Sequence, residues 1–160
     1  MKEYAHPFEP IVDENSQILI LGSFPSFDSF KYSFYYANRY NAFWKIMGEI
    51  YGAELNSNEE KKEFLLDKKI ALWDMIKSCS RDSSLDSRLQ DIVVNDIDGF
   101  LKKYPNIKKI GCNGRKSYDL LLKNFKSLKG MAYYLPSTSS ANARMSYKEK
   151  FEIYKGFLNA

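Results

Sequence analysis

Two cysteines, Cys79 and Cys112, and one histidine, His6, are the only thiol and imidazole groups among 160 residues. A four-thiolate iron–sulfur cluster or a CxxC-type zinc site cannot be built from that set, and a zinc deaminase is excluded on ligand count. Both thiols are expected to be ordinary buried side chains, and no metal or cofactor is expected. His6 stands beside Pro7 near the amino terminus, where a lone imidazole reads as a packing or hydrogen-bonding residue ahead of a catalyst. A Ser–His–Asp hydrolase would have to recruit that histidine, which follows no strand and has no GxSxG partner. The chain also lacks GxxxxGK[ST] and GxGxxG, so triphosphatase and dinucleotide-dependent readings lose their main support. Its first residues, MKEYAHPFEP, hold no apolar run of signal-peptide length, and no stretch approaches the roughly 20 apolar residues of a membrane span. The expectation is a soluble, cytoplasmic protein with no membrane partner.

What is present is moderate charge and many rings. A net charge of +4 permits attraction to a polyanion without demanding it. The lysine pairs at 61–62, 68–69, 102–103 and 108–109 are spread along the chain and read by default as solvated surface. Aromatic residues make up 16%, with 12 tyrosines; rings beside cations suit stacking on bases next to neutralised phosphates, although a core would absorb most of them.

Short apolar runs alternate with helical patterns. Gln17–Leu21 is a strand between the turn formers DENS and GSFPS. Phe43, Trp44, Met47 and Ile50 have helical spacing, with Asn41 as a cap before them. Glu59–Leu66 reads as a second helix and Lys69–Trp73 as a second strand, ending at Asp74 and leading into a polar, turn-rich segment from Ser78 to Asp86. Asp96–Lys103 reads as a helix, Ile107–Cys112 as a strand, and Asn113-Gly114 as the turn opening the helix Arg115–Phe125. A last strand, Met131–Leu135, runs into PSTSSANAR and a closing helix, Tyr147–Leu158. This alternation predicts one α/β domain over residues 1–160, with a mostly parallel sheet and ligands at the carboxyl ends of its strands. There the segments 22–26, 74–86, 113–114 and 136–144 would converge.

Each polar residue in those segments has more than one reading. Asn41 serves as a helix cap or as a catalytic amide. Asp74 caps a helix or accepts from backbone amides, or as a buried carboxylate stabilises a cationic intermediate. Ser84, Asp86 and Ser87 shape a loop through local hydrogen bonds or contact a base or phosphate. Asn113 reads a base edge or is a plain turn residue. Tyr36 is one of three consecutive aromatics that cannot all face one way as a strand.

The strings HPFEPIVDENSQILILGSFPS, FYYANRYNAFW, KKIALWDMIKSC, SSLDS, IGCNG and LPSTSSANA cover most of the chain in this order. In order and spacing they resemble those of the hypoxanthine-DNA glycosylases, a branch of the uracil-DNA glycosylase superfamily. The resemblance implies a three-layer α/β/α sandwich around a mostly parallel four-stranded sheet. It also implies a monomeric base-excision-repair enzyme that flips a deaminated base out of DNA, most often hypoxanthine, and hydrolyses its N-glycosidic bond. The partner would be double-stranded DNA containing deaminated bases, with single-stranded DNA as the alternative. Superfamily members share a GxxPx loop, a following aromatic that stacks on the flipped base, and a late PSxx loop that enters the duplex. Carried onto this chain, these imply a base pocket of Gly22, Ser23, Phe24, Pro25, Tyr36 and Asn113. They imply catalytic roles for Asn41 and Asp74, and DNA contacts from Ser26, Ser137, Thr138, Ser139, Ser140, Asn142 and Arg144, with the final helix offering its amino terminus to phosphate.

Two departures bear on the chemistry. Relatives place an Asp or Asn that positions the attacking water at the third residue of GxxPx, where this chain has Phe24, and many have His-Pro where it has Asn38-Arg39. Uracil, which leaves as an anion, should suffer more from the first loss than hypoxanthine, which can be protonated or hydrogen-bonded as it departs. Two other classes of function stay open on the residues: a non-catalytic damaged-DNA-binding module, and a small-molecule nucleoside hydrolase.

Overall fold

The computed structural model describes residues 1–160. In chain order its strands are β1 (Lys2–Ala5), β2 (Ile18–Gly22), β3 (Ile70–Asp74), β4 (Ile76–Arg81), β5 (Gln90–Val94), β6 (Lys109–Asn113) and β7 (Ala132–Leu135). Its helices are α1 (Phe27–Tyr32), α2 (Phe43–Tyr51), α3 (Asn58–Asp67), α4 (Ile97–Lys103), α5 (Arg115–Asn124) and α6 (Tyr147–Asn159). Four strands pair in the order β3-β2-β6-β7, all parallel. Parallel strands need crossovers, and here helices supply cover on both faces.

The two faces follow from the period of two along each strand. Leu19, Leu21, Ala71, Ile110 and Cys112 point to one side and pack with Ile97 and Phe100 of α4 and Leu121 of α5. Ile20, Ile70, Leu72 and Leu135 point to the other, against Phe43, Trp44, Ile46 and Met47 of α2, Leu65 of α3, and Tyr154, Phe157 and Leu158 of α6. The result is the expected three-layer sandwich. Most of these strand residues are fully buried, and each full burial of a Leu or Ile contributes about 1.5–3 kcal/mol before entropy is counted.

The segment from Ser78 to Asp86, expected to be polar and turn-rich, begins as strand through Arg81 and is irregular only after it. β1, β4 and β5 form a second, antiparallel sheet in the order β1-β4-β5. β4 continues almost directly from β3, with Met75 and Ile76 N–H groups donating to the Gly22 and Ser23 carbonyls. Its polar sequence, IKSCSR, hides the strand because its buried positions are Cys79, Ser80 and Arg81 as well as Ile76. α1 also went unpredicted: Ser26, at its N-cap, accepts from Ser29 N at 3.2 Å. No helix is long and apolar enough to cross a membrane.

Chain direction from β2 to β3 runs one way along the sheet, and from β6 to β7 the other. The neighbouring ends of β2 and β6 therefore form a topological switch point, where the following loops diverge and leave a crevice.

Candidate active site

A cleft of about 650 Å³ opens at those carboxyl ends, within the 300–1,000 Å³ range of small-molecule sites. Every site residue nominated from the sequence lines it except Arg144, which is exposed and makes no ion pair. The cleft is built from the loop after β2, the end of β3, the turn after β4, the end of β6 and the loop after β7.

At its floor Gly22 lies opposite Asp74 in the parallel register. A Cβ on Gly22 would collide with Asp74 Oδ1 and stand 2.7 Å from Tyr36 Oη, so only glycine lets the carboxylate and the phenol approach this wall. Tyr36 is held with φ of 53°, in the left-handed region that tyrosine rarely adopts. Its ring stacks on Phe43 at 4.4 Å, and its hydroxyl is buried with no hydrogen-bond partner. Burial, with the charge of Asp74 second, pushes the Tyr36 phenol well above its ordinary pKa, so it remains a neutral donor. The nearby Asn113 carboxamide opposes that rise without reaching hydrogen-bond geometry.

Asp74 neither caps a helix nor accepts from backbone amides. Its Oδ2 lies 2.8 Å from His6 Nε2, and the other ring nitrogen of His6 lies 2.9 Å from the Phe8 carbonyl. The ring packs against Phe8, Phe24 and Tyr35. His6 is thus a packed, hydrogen-bonded residue as expected, but the group it holds is a site carboxylate. Nothing local in the sequence connects residues 6 and 74.

Asn41 combines two readings. The helix α2 begins after Ala42, whose backbone is already helical and whose side chain caps nothing. Asn41 Oδ1 supplies the missing acceptor, taking a hydrogen bond from Phe43 N at 3.0 Å, while its Nδ2 bonds no protein group and the residue lines the cleft. Ala42 N donates to Thr138 O, tying this helix start to the late loop.

Asn113 turns out to be neither a free base reader nor a plain turn residue. Its Nδ2 donates to Thr138 Oγ1 and its Oδ1 accepts from Thr138 N, both at 3.0 Å, which anchors the late loop on β6. That loop is further braced by Asn142 Nδ2 to Ser137 O, Ser139 N to Ser137 Oγ and the buried Lys150 Nζ to Ser139 O. Asn38, where relatives have histidine, is likewise occupied: Nδ2 donates to Asp28 and Oδ1 accepts from Tyr40 N. The amino terminus of α6, expected to face phosphate, is filled by its own capping box of Ser146 and Glu149.

Beyond the residues expected from the sequence, Arg115, Tyr134 and Asp86 also line the cleft. Arg115 opens α5 with its guanidinium 4.4 Å over Tyr134, and both line the cleft. Asp86, read as a loop-shaping residue, accepts from Ser23 Oγ at 2.6 Å across 63 residues. Burial raises its pKa, the Ser23 hydrogen bond lowers it, and the charge of Asp74 raises it again. Beside it Arg81 is buried among the rings of Tyr4, Phe24, Phe27 and Phe30 and donates to the Pro25 carbonyl, fixing the GSFPS loop from below. Cys79 and Cys112 are both free and buried; burial pushes the Cys112 thiol up to about 12, leaving it inert.

A parallel α/β/α sandwich with this crevice is the fold of uracil DNA glycosylase-like proteins. The solution NMR structure of a candidate uracil DNA glycosylase from Methanosarcina acetivorans matches with a TM-score of 0.77 at 36% identity, over 96% of this chain and 97% of that one. A hypoxanthine DNA glycosylase from the same organism is 40% identical over 152 residues, 91% of this chain and 92% of the relative. Another, from Methanosarcina barkeri, is 36% identical over 86% of this chain and 87% of its own. No protein-family model matches. The chain belongs to the hypoxanthine DNA glycosylase family.

Proposed function

We propose that this protein is a monofunctional DNA glycosylase that turns a hypoxanthine nucleotide out of duplex DNA into the cleft and hydrolyses its N-glycosidic bond, leaving an abasic site. The observation that carries the reading is the meeting of Asp74 Oδ1 and Tyr36 Oη at the Gly22 wall of a nucleotide-sized cleft. Glycosidic cleavage builds positive charge on the sugar, and a carboxylate fixed in advance beside it stabilises that charge without reorganising. Tyr36 offers a ring against which the extruded base stacks, Asn41 Nδ2 offers a donor to the departing base or the attacking water, and Phe24 closes the wall. No lysine lines the cleft, which supports hydrolysis rather than a Schiff-base lyase step.

The test is an alkali-cleavage assay on labelled duplexes carrying inosine, uracil, xanthine or ethenoadenine opposite each normal base, with chromatography of the released base. Inosine should be processed faster than uracil. Good uracil excision with inosine untouched would overturn the substrate assignment. Tight binding without release would leave a damage-binding module, and hydrolysis of free inosine without DNA a small-molecule nucleosidase.

A further inference from the structure

The structure also addresses how a member of this family with phenylalanine at position 24 handles its water. We propose that the carboxylate of Asp86 binds and deprotonates the attacking water, a proposal that rests on the glycosylase reading above.

The residue is delivered to the cleft by long-range contacts. Three hydrogen bonds sew the turn after β4 onto the loop after β2: Arg81 to the Pro25 carbonyl, Phe27 N to Ser84 Oγ at 3.1 Å, and Ser23 Oγ to Asp86 Oδ1 at 2.6 Å. They set a carboxylate beside Ser23, one residue before the position that cannot hold water itself. Asp86 lines the cleft, and while Oδ1 is held by Ser23, Oδ2 bonds no protein group. The competing groups are differently occupied. Asp74 is held by His6 through Oδ2 and faces Tyr36 with Oδ1, and the Asn41 oxygen is taken by Phe43 N. Asp28, the third carboxylate on the cleft, accepts from Asn38 Nδ2, which leaves Asp86 as the cleft carboxylate that is hydrogen-bonded into the GSFPS loop and keeps an oxygen free.

Its surroundings suit a base. The charged groups that act on it are Asp74 at the end of β3, which with burial raises its pKa, and Lys116 of α5 and Arg81 of β4, which with the Ser23 hydroxyl lower it. The balance lies above the ordinary aspartate value of 3.8. A carboxylate whose pKa moves toward the working pH is a stronger proton acceptor while still ionised at neutrality.

In the reaction the water oxygen bonds to C1′ of the deoxyribose. The C1′–N9 bond breaks with its electron pair leaving on the purine, and one water proton passes to Asp86. The purine takes a proton from solvent and departs as neutral hypoxanthine, and Asp86 returns its proton to solvent. Asp74 faces the cationic sugar with Oδ1.

Single-turnover release of hypoxanthine across the acid pH range tests this with wild type, Asp86→Asn and Ser23→Ala, alongside binding to duplexes carrying an uncleavable 2′-fluoro-deoxyinosine. Wild type should lose rate as pH falls through the pKa of Asp86. Asp86→Asn, which keeps an acceptor for Ser23, should slow release by roughly 100- to 10,000-fold and erase that acid limb while binding the analogue normally. Ser23→Ala removes the bond that lowers the Asp86 pKa, so its acid limb should move to higher pH. An Asp86→Asn protein with the wild-type rate and profile overturns the proposal, and so does an unmoved limb in Ser23→Ala should the asparagine variant fail to fold. A wild-type protein that releases no hypoxanthine would instead defeat the functional reading itself.

Discussion

Replacing Asn41 separates two tasks that one carboxamide performs with different atoms. Its oxygen caps α2 through Phe43 N, and its nitrogen is free at the cleft. Asn41→Ala removes both, and loss of the cap costs about 0.5–2 kcal/mol. At roughly 2–4 °C per kcal/mol for a domain of this size, melting should fall by about 1–8 °C, leaving the protein folded at room temperature. Asn41→Asp keeps an acceptor for Phe43 N, and its charge at a helix start contributes about 0.3–1 kcal/mol, offset by Asp74 and Asp86 on the same cleft. It keeps the cap and deletes the donor. Single-turnover hypoxanthine release should therefore collapse in the alanine variant and be altered in rate or base preference in the aspartate variant, while only the alanine variant melts measurably earlier. If both variants cleave inosine DNA at the wild-type rate and only alanine melts earlier, Asn41 is a cap and nothing more.

Three further outcomes follow from the geometry. Removing His6 leaves Asp74 buried without its hydrogen bond, a class of change that costs about 1–3 kcal/mol; in urea unfolding, His6→Ala and Asp74→Ala should be coupled in a double-mutant cycle, and simple additivity would contradict the pairing. Tyr36→Phe deletes an unpartnered buried hydroxyl and should gain about 1 kcal/mol of stability while keeping activity. Tyr36→Ala should lose stacking worth about 1–3 kcal/mol, roughly five- to 150-fold in rate, and equal activity of the two variants would return the ring to a purely structural role. Each phosphate contact contributes roughly −0.9 to the slope of log affinity against log salt; Arg115→Ala and Arg144→Ala should each flatten that slope, and an unchanged slope removes the residue in question from the DNA interface.

The parallel sheet is legible in the sequence because its strands are short apolar runs bounded by turn formers, and runs such as Ile18–Leu21 need no tertiary information to be recognised. The second sheet is not, because what makes IKSCSR a strand is distant. Arg81 is tolerated inside only because four rings from β1, the GSFPS loop and α1 close around it. The site divides the same way. Its loops are legible because strand ends converge in any doubly wound fold. Its pairings are not, since His6 meets Asp74 across 68 residues and Asp86 meets Ser23 across 63, distances over which no local pattern carries information.

Those pairings also explain why so many polar residues in the cleft are poor candidates for chemistry while a few are good ones. Asn113, Asn38, Ser26 and Asn142 hold neighbouring backbone or side chains through hydrogen bonds of their own. Those bonds fix the loops. Three atoms at the cleft stand without protein hydrogen bonds where a nucleotide would meet them: Asp74 Oδ1, Asp86 Oδ2 and Asn41 Nδ2. Two are acceptors suited to a cationic sugar and to a water proton, and the third is a donor suited to a base edge. Because the groups that position them are already bonded, the constellation needs little rearrangement when a nucleotide enters, and electrostatic stabilisation is most effective under that condition.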